Sequence, residues 1–407
     1  MKALIALAFL ALLTTAQAQQ PKKVVFIIAD GIPADVIESV PHPNLDKIKN
    51  AGSYKRAYVG GLKNGYSQTP TISAVSYNSL ITGTWVNKHN VWGNDIKAPN
   101  YNYPTIFRLF KDQYPDRSIA IYSTWLDNRT KLIGEGLPQT KSIKMNHAFD
   151  GYELDTVAFP HDKESYYIHL IDEAVVNDAA RSVKENGYDL SWVYLEYTDD
   201  MGHRHGTGPR QNEAVAMLDQ QVGKIWDAIQ YREKNFKEDW LILVTTDHGR
   251  DSVTGRNHGG QSERERTTWL FSNLKTTNEY FKNNQPAITD LLPTMARHLS
   301  IDVPLHTQRE LDGVPLTGAV SVANAKAAMV GDSLTVTWDA FGKNENVTLL
   351  LTTTDHAKEG KEDTYLKLAT LPAQARRFSF VPRQKNLSLY KILVEGKNNR
   401  INTRVVR

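Results

Sequence analysis

The run Lys22 to Asp30, KKVVFIIAD, restricts the fold more than any other segment of the chain. Its apolar residues are contiguous and rich in β-branched types, and Gly31 bounds the run. A strand with one wet face alternates apolar and polar residues. A continuous apolar run instead marks a strand buried on both faces, as in a parallel sheet. Three similar runs follow, at Ser118 to Ser123, Leu190 to Tyr197 and Trp240 to Thr246. Helical patterns lie between them, at Asn44 to Ala51, Thr105 to Asp112, Ile168 to Asn186 and Gln211 to Glu233. The last places Val215, Leu218, Val222, Ile225, Trp226 and Ile229 at helical spacing. Strands alternating with helices predict an α/β fold, with a mainly parallel sheet sandwiched by helices. Pro286 to Leu299 reads as one more helix, and Asp312-Gly313-Val314-Pro315 closes the domain.

The character changes from about Ala319. Short alternating runs appear at Ser333 to Trp338, Val347 to Thr352, Tyr365 to Leu371, Arg377 to Val381 and Leu389 to Glu395, separated by turn residues. They predict a small C-terminal all-β sandwich of fibronectin III-like kind. The expected division is a signal peptide at 1–18, an α/β catalytic domain at 19–317 and the sandwich at 319–407. The signal is read from Lys2, the apolar stretch Ala3 to Leu13 and the cleavage pattern Ala16-Gln17-Ala18. It implies export to a periplasm or secretion. The chain has no cysteine, which excludes disulfides, Cys-based metal sites and a lipid-anchored cysteine. A net charge of +3 without a dense basic block indicates neither a nucleic-acid partner nor a membrane surface. No later stretch is long and apolar enough to anchor the chain in a membrane, and no pattern specifies an oligomer.

Ligands of such a sheet bind outside the carboxyl ends of its strands. Asp30, Asp199 and Asp247 all fall at or just past such ends. Beside them stand His203, four residues after Asp199, His248, adjacent to Asp247, and His258 in the loop Asn257-His258-Gly259-Gly260. Three acids and three histidines suit two zinc ions, since zinc takes imidazole nitrogen and carboxylate oxygen. Other divalent ions accept the same donors. Two such ions about 4 Å apart hold the attacking and leaving oxygens of an in-line displacement, which points to hydrolysis of a phosphate or related ester.

The wider motifs are Ala29-Asp30-Gly31 after a strand and P-T-I-S-A-V-S-Y-N-S-L-I-T-G from Pro70 to Gly83. His89 and Asn94 follow, then Glu196, Asp199, Gly202 and His203 with Gly208-Pro209. Thr246-Asp247-His248-Gly249 and His258-Gly259 complete the series. In this order the chain resembles the alkaline phosphatase superfamily, most of all its nucleotide pyrophosphatase/phosphodiesterase branch. That branch carries its nucleophile in P-T-K-T-F-P-N-H-Y-T-L-V-T-G, which aligns Ser73 with the nucleophile. Asn94, twenty-one residues later, matches an Asn that binds a phosphoryl oxygen. The resemblance runs from about residue 22 to 317. It implies one metal group of Asp199, His203 and His258, and another of Asp30, Asp247, His248 and Ser73. It further implies attack by Ser73 on phosphorus, a phosphoseryl intermediate, and a small phosphate ester as substrate, with Asn94 and the Ser73 backbone N–H holding phosphoryl oxygens.

Some positions depart from that pattern. Ala74-Val75-Ser76 replaces F-P-N, and Ser73 stands where the branch usually has Thr. Thr71 and Ser76 are rival nucleophiles, and Asp200 and His205 are extra donors expected to stay outside the metal groups. The loop Trp125 to Lys131 follows a strand. Trp125, Arg129 and Lys131 are therefore candidates for substrate contact, and a cation on a terminal phosphate would favour monoesters. Trp85 and Trp92 flank Asn94 and are candidates for packing against a leaving group. The first reading is a phosphodiesterase or nucleotide pyrophosphatase, the alternative a phosphomonoesterase. Sulfatase chemistry fits less well, because no Cys/Ser-x-Pro-x-Arg context surrounds Ser73. A reading from another class is a non-catalytic surface or glycan-binding protein.

Overall fold

The computed structural model describes residues 20–385 and 387–406. The expected signal segment lies outside the described residues. Seven strands form the main sheet: β1 (Lys22–Ala29), β2 (Ser53–Tyr58), β3 (Ile119–Ser123), β4 (His147–Phe149), β5 (Leu190–Leu195), β6 (Asp239–Thr245) and β7 (Thr267–Ser272). Their order is β2-β7-β6-β1-β5-β3-β4. β1 lies at the centre, parallel to both neighbours, with Val24 opposite Leu190 on one side and Leu241 on the other. β3 continues parallel to β5, and β4 to β3. On the other side β7 runs antiparallel to β6 and β2.

The apolar run of β1 divides between two cores. Val24, Phe26 and Ile28 pack with Trp192, Leu241, Phe107 and the Ser73–Thr82 helix, through Tyr77, Leu80 and Ile81. Val25, Ile27 and Ala29 pack with the helices Tyr166–Glu185 and Pro209–Phe236, through Val175, Val176, Leu218 and Val222. Both faces of the sheet are therefore dry, which is why the strand needs no polar alternation.

Three strands escape the sequence pattern. β2 reads SYKRAY and is mostly half-buried, and β4 has three residues. Edge positions need no apolar run. β7 is apolar but directly follows the polar Glu263–Arg266 turn of helix. The strand expected to reach Tyr197 stops at Leu195, and a helix, Tyr197–His205, begins instead. Asp172 accepts hydrogen bonds from the N–H groups of Glu196 (3.1 Å) and Tyr197 (2.9 Å), which satisfies donors that the first helical turn leaves free. The helix expected over Pro286 to Leu299 is a 3-10 turn, Ile288–Asp290, followed by Leu291–His298. There the Asp290 carboxylate takes the Ala287 N–H at 2.8 Å.

Beyond residue 320 the chain forms two antiparallel sheets. One has β11 (Leu366–Pro372), β10 (Asn346–Thr352), β13 (Leu389–Glu395) and β14 (Arg400–Val406) in that order. The other has β12 (Arg377–Phe380), β9 (Ser333–Ala340) and β8 (Val322–Val330). Val336, Trp338, Leu349, Ile392 and Val394 fill the space between them, and this core is continuous with one face of the main sheet. Among the described residues no helix is long and apolar enough to cross a membrane.

Candidate metal centre

Three neighbouring strands deliver the three aspartates. Asp30 directly follows β1, Asp247 lies two residues past β6, and Asp199 sits in the first turn of the helix after β5. His203 is one helical turn on, with Nε2 at 3.2 Å from Asp199 Oδ2. His258 places Nδ1 at 2.9 Å from the Thr71 carbonyl, so its Nε2 faces His203 Nε2 at 3.1 Å. The His248 ring stacks on His258 with centroids 3.7 Å apart. Its Nε2 lies 3.2 Å from Asp247 Oδ2, 3.4 Å from Asp30 Oδ1 and 3.3 Å from Ser73 Oγ. Ser73 opens the Ser73–Thr82 helix. All seven residues expected to ligate or attack meet in one place.

Donor atoms of Asp199, His203 and His258 lie within 4.8 Å of one another, as do those of Asp30, Asp199 and His248. Asp199 thus borders both groups, where the resemblance implied only one. The donor set fits cations. His248 Nδ1 faces the Gly249 carbonyl at 3.0 Å and His258 Nδ1 faces that of Thr71, so each ring keeps its proton on Nδ1. The remaining Nε2 lone pairs then point at the carboxylate oxygens of Asp30 and Asp247, for His248, and at His203 Nε2, for His258. Asp30 Oδ1 and Asp247 Oδ2 are buried without a hydrogen-bond partner. Lone pairs facing carboxylates repel unless a positive ion stands among them.

The electrostatics agree. Burial, then the charges of Asp247 and Asp199, hold the Asp30 carboxyl well above the usual range. Hydroxyls of Tyr77 and, at 2.7 Å, Tyr194 on its Oδ2 offset part of this. Burial and the Asp199 charge push Asp247 up to about 7. Burial, then the neighbouring His258, keeps His248 neutral, and burial lowers His258 as well. Asp199 differs. Burial acts upward on it, but the His203 hydrogen bond and the Arg250 charge outweigh this and hold it low.

Arg250 was not anticipated from the sequence. It follows the T-D-H-G segment directly, and that adjacency is the only signal it left. Its guanidinium is fully buried and hydrogen-bonds Asp199 Oδ1. Tyr77 and Tyr194, the two hydroxyls on Asp30, were missed as well.

The remaining candidates separate. Asn94 Oδ1 accepts the Ala74 N–H at 3.0 Å, which leaves its amide nitrogen as the outward end. Thr71 Oγ1 is engaged by the Gly260 carbonyl and the Gly259 N–H, both at 2.9 Å. Ser76 is buried with its hydroxyl unpartnered, and Asp200 and His205 join neither donor group. Arg129 is held by Asp150 (2.7 and 2.9 Å) and by Glu135, and Lys131 by Asp127 (2.8 Å). The positive charge expected for a terminal phosphate is therefore already matched within the loop region. Trp125 stands edge-on to Tyr77, ring centres 6.4 Å apart. Trp85 is buried, whereas Trp92 is 55% exposed and tied through Nε1 to Asn90 Oδ1 at 3.0 Å. His89 is buried between Ser79 Oγ (3.0 Å) and the Val91 N–H (3.1 Å). Burial pushes its pKa down to about 3, so it is a neutral core residue.

Residues 24–287 match the sequence model of the family described as type I phosphodiesterase / nucleotide pyrophosphatase. Ectonucleotide pyrophosphatase/phosphodiesterase family member 7 of Rattus norvegicus is 24% identical over 250 residues, covering 58% of this chain and 52% of that protein. The chain therefore spans about half the length of this curated relative. Two solved structures share the fold. The first is an inactive murine ectonucleotide pyrophosphatase / phosphodiesterase 5 in complex with AMP. It aligns with a TM-score of 0.50 at 13% identity, over 70% of this chain and 96% of that one. The second is the phosphonate monoester hydrolase of Agrobacterium radiobacter. It aligns with a TM-score of 0.50 at 13% identity, over 95% and 89%.

Proposed function

We propose, from the premise that the chain belongs to the type I phosphodiesterase / nucleotide pyrophosphatase family, that it hydrolyses phosphodiester or pyrophosphate bonds of small molecules through attack by Ser73. The observation that carries this reading is the convergence of Ser73 Oγ, His248 Nε2 and the unpartnered oxygens of Asp30 and Asp247. Asp199, His203 and His258 would hold one divalent cation, and Asp30, Asp247, His248 and Ser73 a second. Two such ions, zinc by the preference of this donor set, supply a lower hydroxyl pKa at Ser73 and positive charge beside the transferred oxygens.

Ser73 Oγ gives up its proton to solvent and forms a bond to phosphorus, while the bond from phosphorus to the leaving oxygen breaks. The leaving oxygen takes a proton from solvent. Water then cleaves the phosphoseryl ester and restores the hydroxyl. Asn94 is oriented for this reaction: its Oδ1 is tied to the Ala74 N–H, so its Nδ2 can donate to a non-bridging phosphoryl oxygen. A diester suits the site better than a monoester, because the cations of Arg129 and Lys131 already pair with carboxylates.

Residues 19–317 are read as the catalytic unit and 319–407 as a β-sandwich that braces it. The opening segment is read as a cleaved signal for export to a periplasm or for secretion. The test is zinc content by elemental analysis together with turnover of nitrophenyl mono- and diesters. Two zinc ions per chain, and Ser73→Ala slowing diester turnover by at least about 10³-fold, are expected. A folded protein without metal, or a strongly faster monoester rate, would overturn the reading.

A further inference from the structure

Arg250 is fully buried beside three acids, yet it serves only one of them. Nη2 donates to Asp199 Oδ1 and, at 2.6 Å, to the Asp199 carbonyl. Nε donates to the Gly31 carbonyl at 2.9 Å, and Nη1 to the Arg256 carbonyl at 2.9 Å. One planar fork thereby joins the segment just after Asp30, the first turn of the Asp199 helix and the loop that carries His258. Asp30 and Asp247 receive nothing from it. Their partners are the two tyrosine hydroxyls on Asp30, and the Gly31 N–H and, at 3.5 Å, the Thr246 hydroxyl on Asp247.

Two glycines keep the space open. A Cβ on Gly202 would lie 2.2 Å from Arg250 Nε, and one on Gly31 would lie 2.1 Å from Asp199 Oδ1 and 2.8 Å from Arg250 Nη2. Gly202 sits inside the Tyr197–His205 helix, where alanine is ordinarily the better residue. Its presence there is explained by the guanidinium packed against it.

Asp199 stands between the two donor groups. Its Oδ2 faces His203, while its Oδ1 lies 4.0 Å from His248 Nε2, toward the other group. We propose that Arg250 is a positioning residue that assigns Asp199 to a single metal group. It occupies Oδ1 and so withholds that oxygen from the group of Asp30, Asp247 and His248. It also fixes the carboxylate plane, leaving Oδ2 aimed at the group of His203 and His258. A neutral ligand cannot do this, because the fork must satisfy a carboxylate oxygen and three carbonyls at once.

This inference rests on the two-metal reading above. The test is zinc affinity by competition against a chromophoric chelator, together with the visible spectrum of the cobalt(II)-substituted protein. Arg250→Met is expected to weaken one of two metal equivalents by about 10- to 100-fold and to alter that equivalent's cobalt spectrum. The other equivalent stays within about threefold of wild type, a margin far below that range. Arg250→Lys, which keeps the charge but loses the fork, falls between. Gly202→Ala keeps Arg250 and crowds it, and weakens the same equivalent. It decides the matter if Arg250→Met does not fold. Both equivalents unchanged in Gly202→Ala and in every folded Arg250 variant, with unaltered cobalt spectra, would overturn the proposal while the two-metal reading stands. Wild-type protein that takes up no metal would overturn both.

Discussion

Two buried clusters of charge in this molecule look alike by composition and differ in how their charges are matched. At the seam between the main domain and the C-terminal sheets, Lys88, Lys391 and Arg404 meet Glu310, Asp312, Asp355 and Asp363. Each of these carboxylates has a cation: Lys88 with Asp312 at 2.6 Å, Lys391 with Asp363 at 2.9 Å and with Glu310, and Arg404 with Asp355 at 2.6 Å. At the strand ends Arg250 serves Asp199, while the oxygens Asp30 Oδ1 and Asp247 Oδ2 face a neutral histidine. A matched cluster joins parts of a fold. An acid-rich cluster with idle oxygens is a place for cations. Density of charge alone distinguishes nothing, and neither does a missing hydrogen bond, since Asp355 Oδ1 at the seam lacks one too; what differs is a cation within reach, Lys391 Nζ lying 3.7 Å from that oxygen.

The largest effect expected from this contrast is at the seam. Lys391→Met leaves Asp363 buried without its cation and Glu310 with Arg404 alone. Removing one partner of a buried pair costs about 3–5 kcal/mol. Chemical denaturation should show that loss, while diester turnover well below the melting temperature stays within about twofold of wild type (~0.4 kcal/mol). A loss near 1 kcal/mol, the scale of an exposed pair, would mean that the seam is not the structural partner of the comparison. Asn94→Ala tests the opposite corner. Removing one preorganised donor to a transition-state oxygen costs about 10²-fold in kcat, or ~2.7 kcal/mol. Asn94 is exposed, so denaturation should scarcely change.

A smaller effect separates the clusters by pH. Asp30 lies well above the ordinary carboxylate range and Asp247 at about 7, both chiefly through burial. In metal-free protein the folded state therefore keeps protons that the unfolded chain has already released. Between about pH 4 and 7 the folded state binds more protons, so its stability falls as pH rises through that window. Asp172 and Asp290, each at about 7 by burial, add the same slope whether or not metal is bound. Metal binding competes with protons and favours high pH. Unfolding free energies measured from pH 5 to 8, with and without a chelator, should diverge with rising pH by about 2 kcal/mol, the scale of a strongly shifted carboxylate. Parallel profiles would mean that Asp30 and Asp247 are not where the metals bind.

The same distinction explains what could be read from the sequence. The central strands were legible because both faces are dry, so their residues form unbroken apolar runs such as Val24 to Ala29. The donor set was legible because strand ends bring Asp30, Asp199 and Asp247 together by topology, without any side-chain detail. β2, reading SYKRAY at the sheet's edge, has no such run. Arg250 was illegible for a deeper reason. An arginine is ordinarily exposed, and this one is buried only because its partner Asp199, 51 residues earlier in the chain, reaches the same interior space. Tyr194 was read only as part of the run Leu190 to Tyr197 and Tyr77 only as part of the Pro70 to Gly83 motif, whereas their hydroxyls hold Asp30.

Arg129 and Lys131 give the smallest effect and the sharpest limit on substrate. The sequence placed their loop after a strand end, where a cation would reward a dianionic phosphate. In the structure Arg129 makes paired bonds to Asp150 at 2.7 and 2.9 Å and a further bond to Glu135, and Lys131 pairs with Asp127. A charge already matched by carboxylates adds little attraction for a second anion. Arg129→Gln should therefore shift kcat/KM for a nitrophenyl monoester and diester alike by less than about twofold, ~0.4 kcal/mol. If Arg129 instead leaves Asp150 to grip a terminal phosphate, the monoester value alone should fall by about 10-fold or more, since a charged hydrogen bond is worth roughly 1.5–3 kcal/mol. That selective loss would move monoesters ahead of diesters. It would also show that a matched charge pair can open to serve a site, which is the point on which the contrast between the two clusters depends.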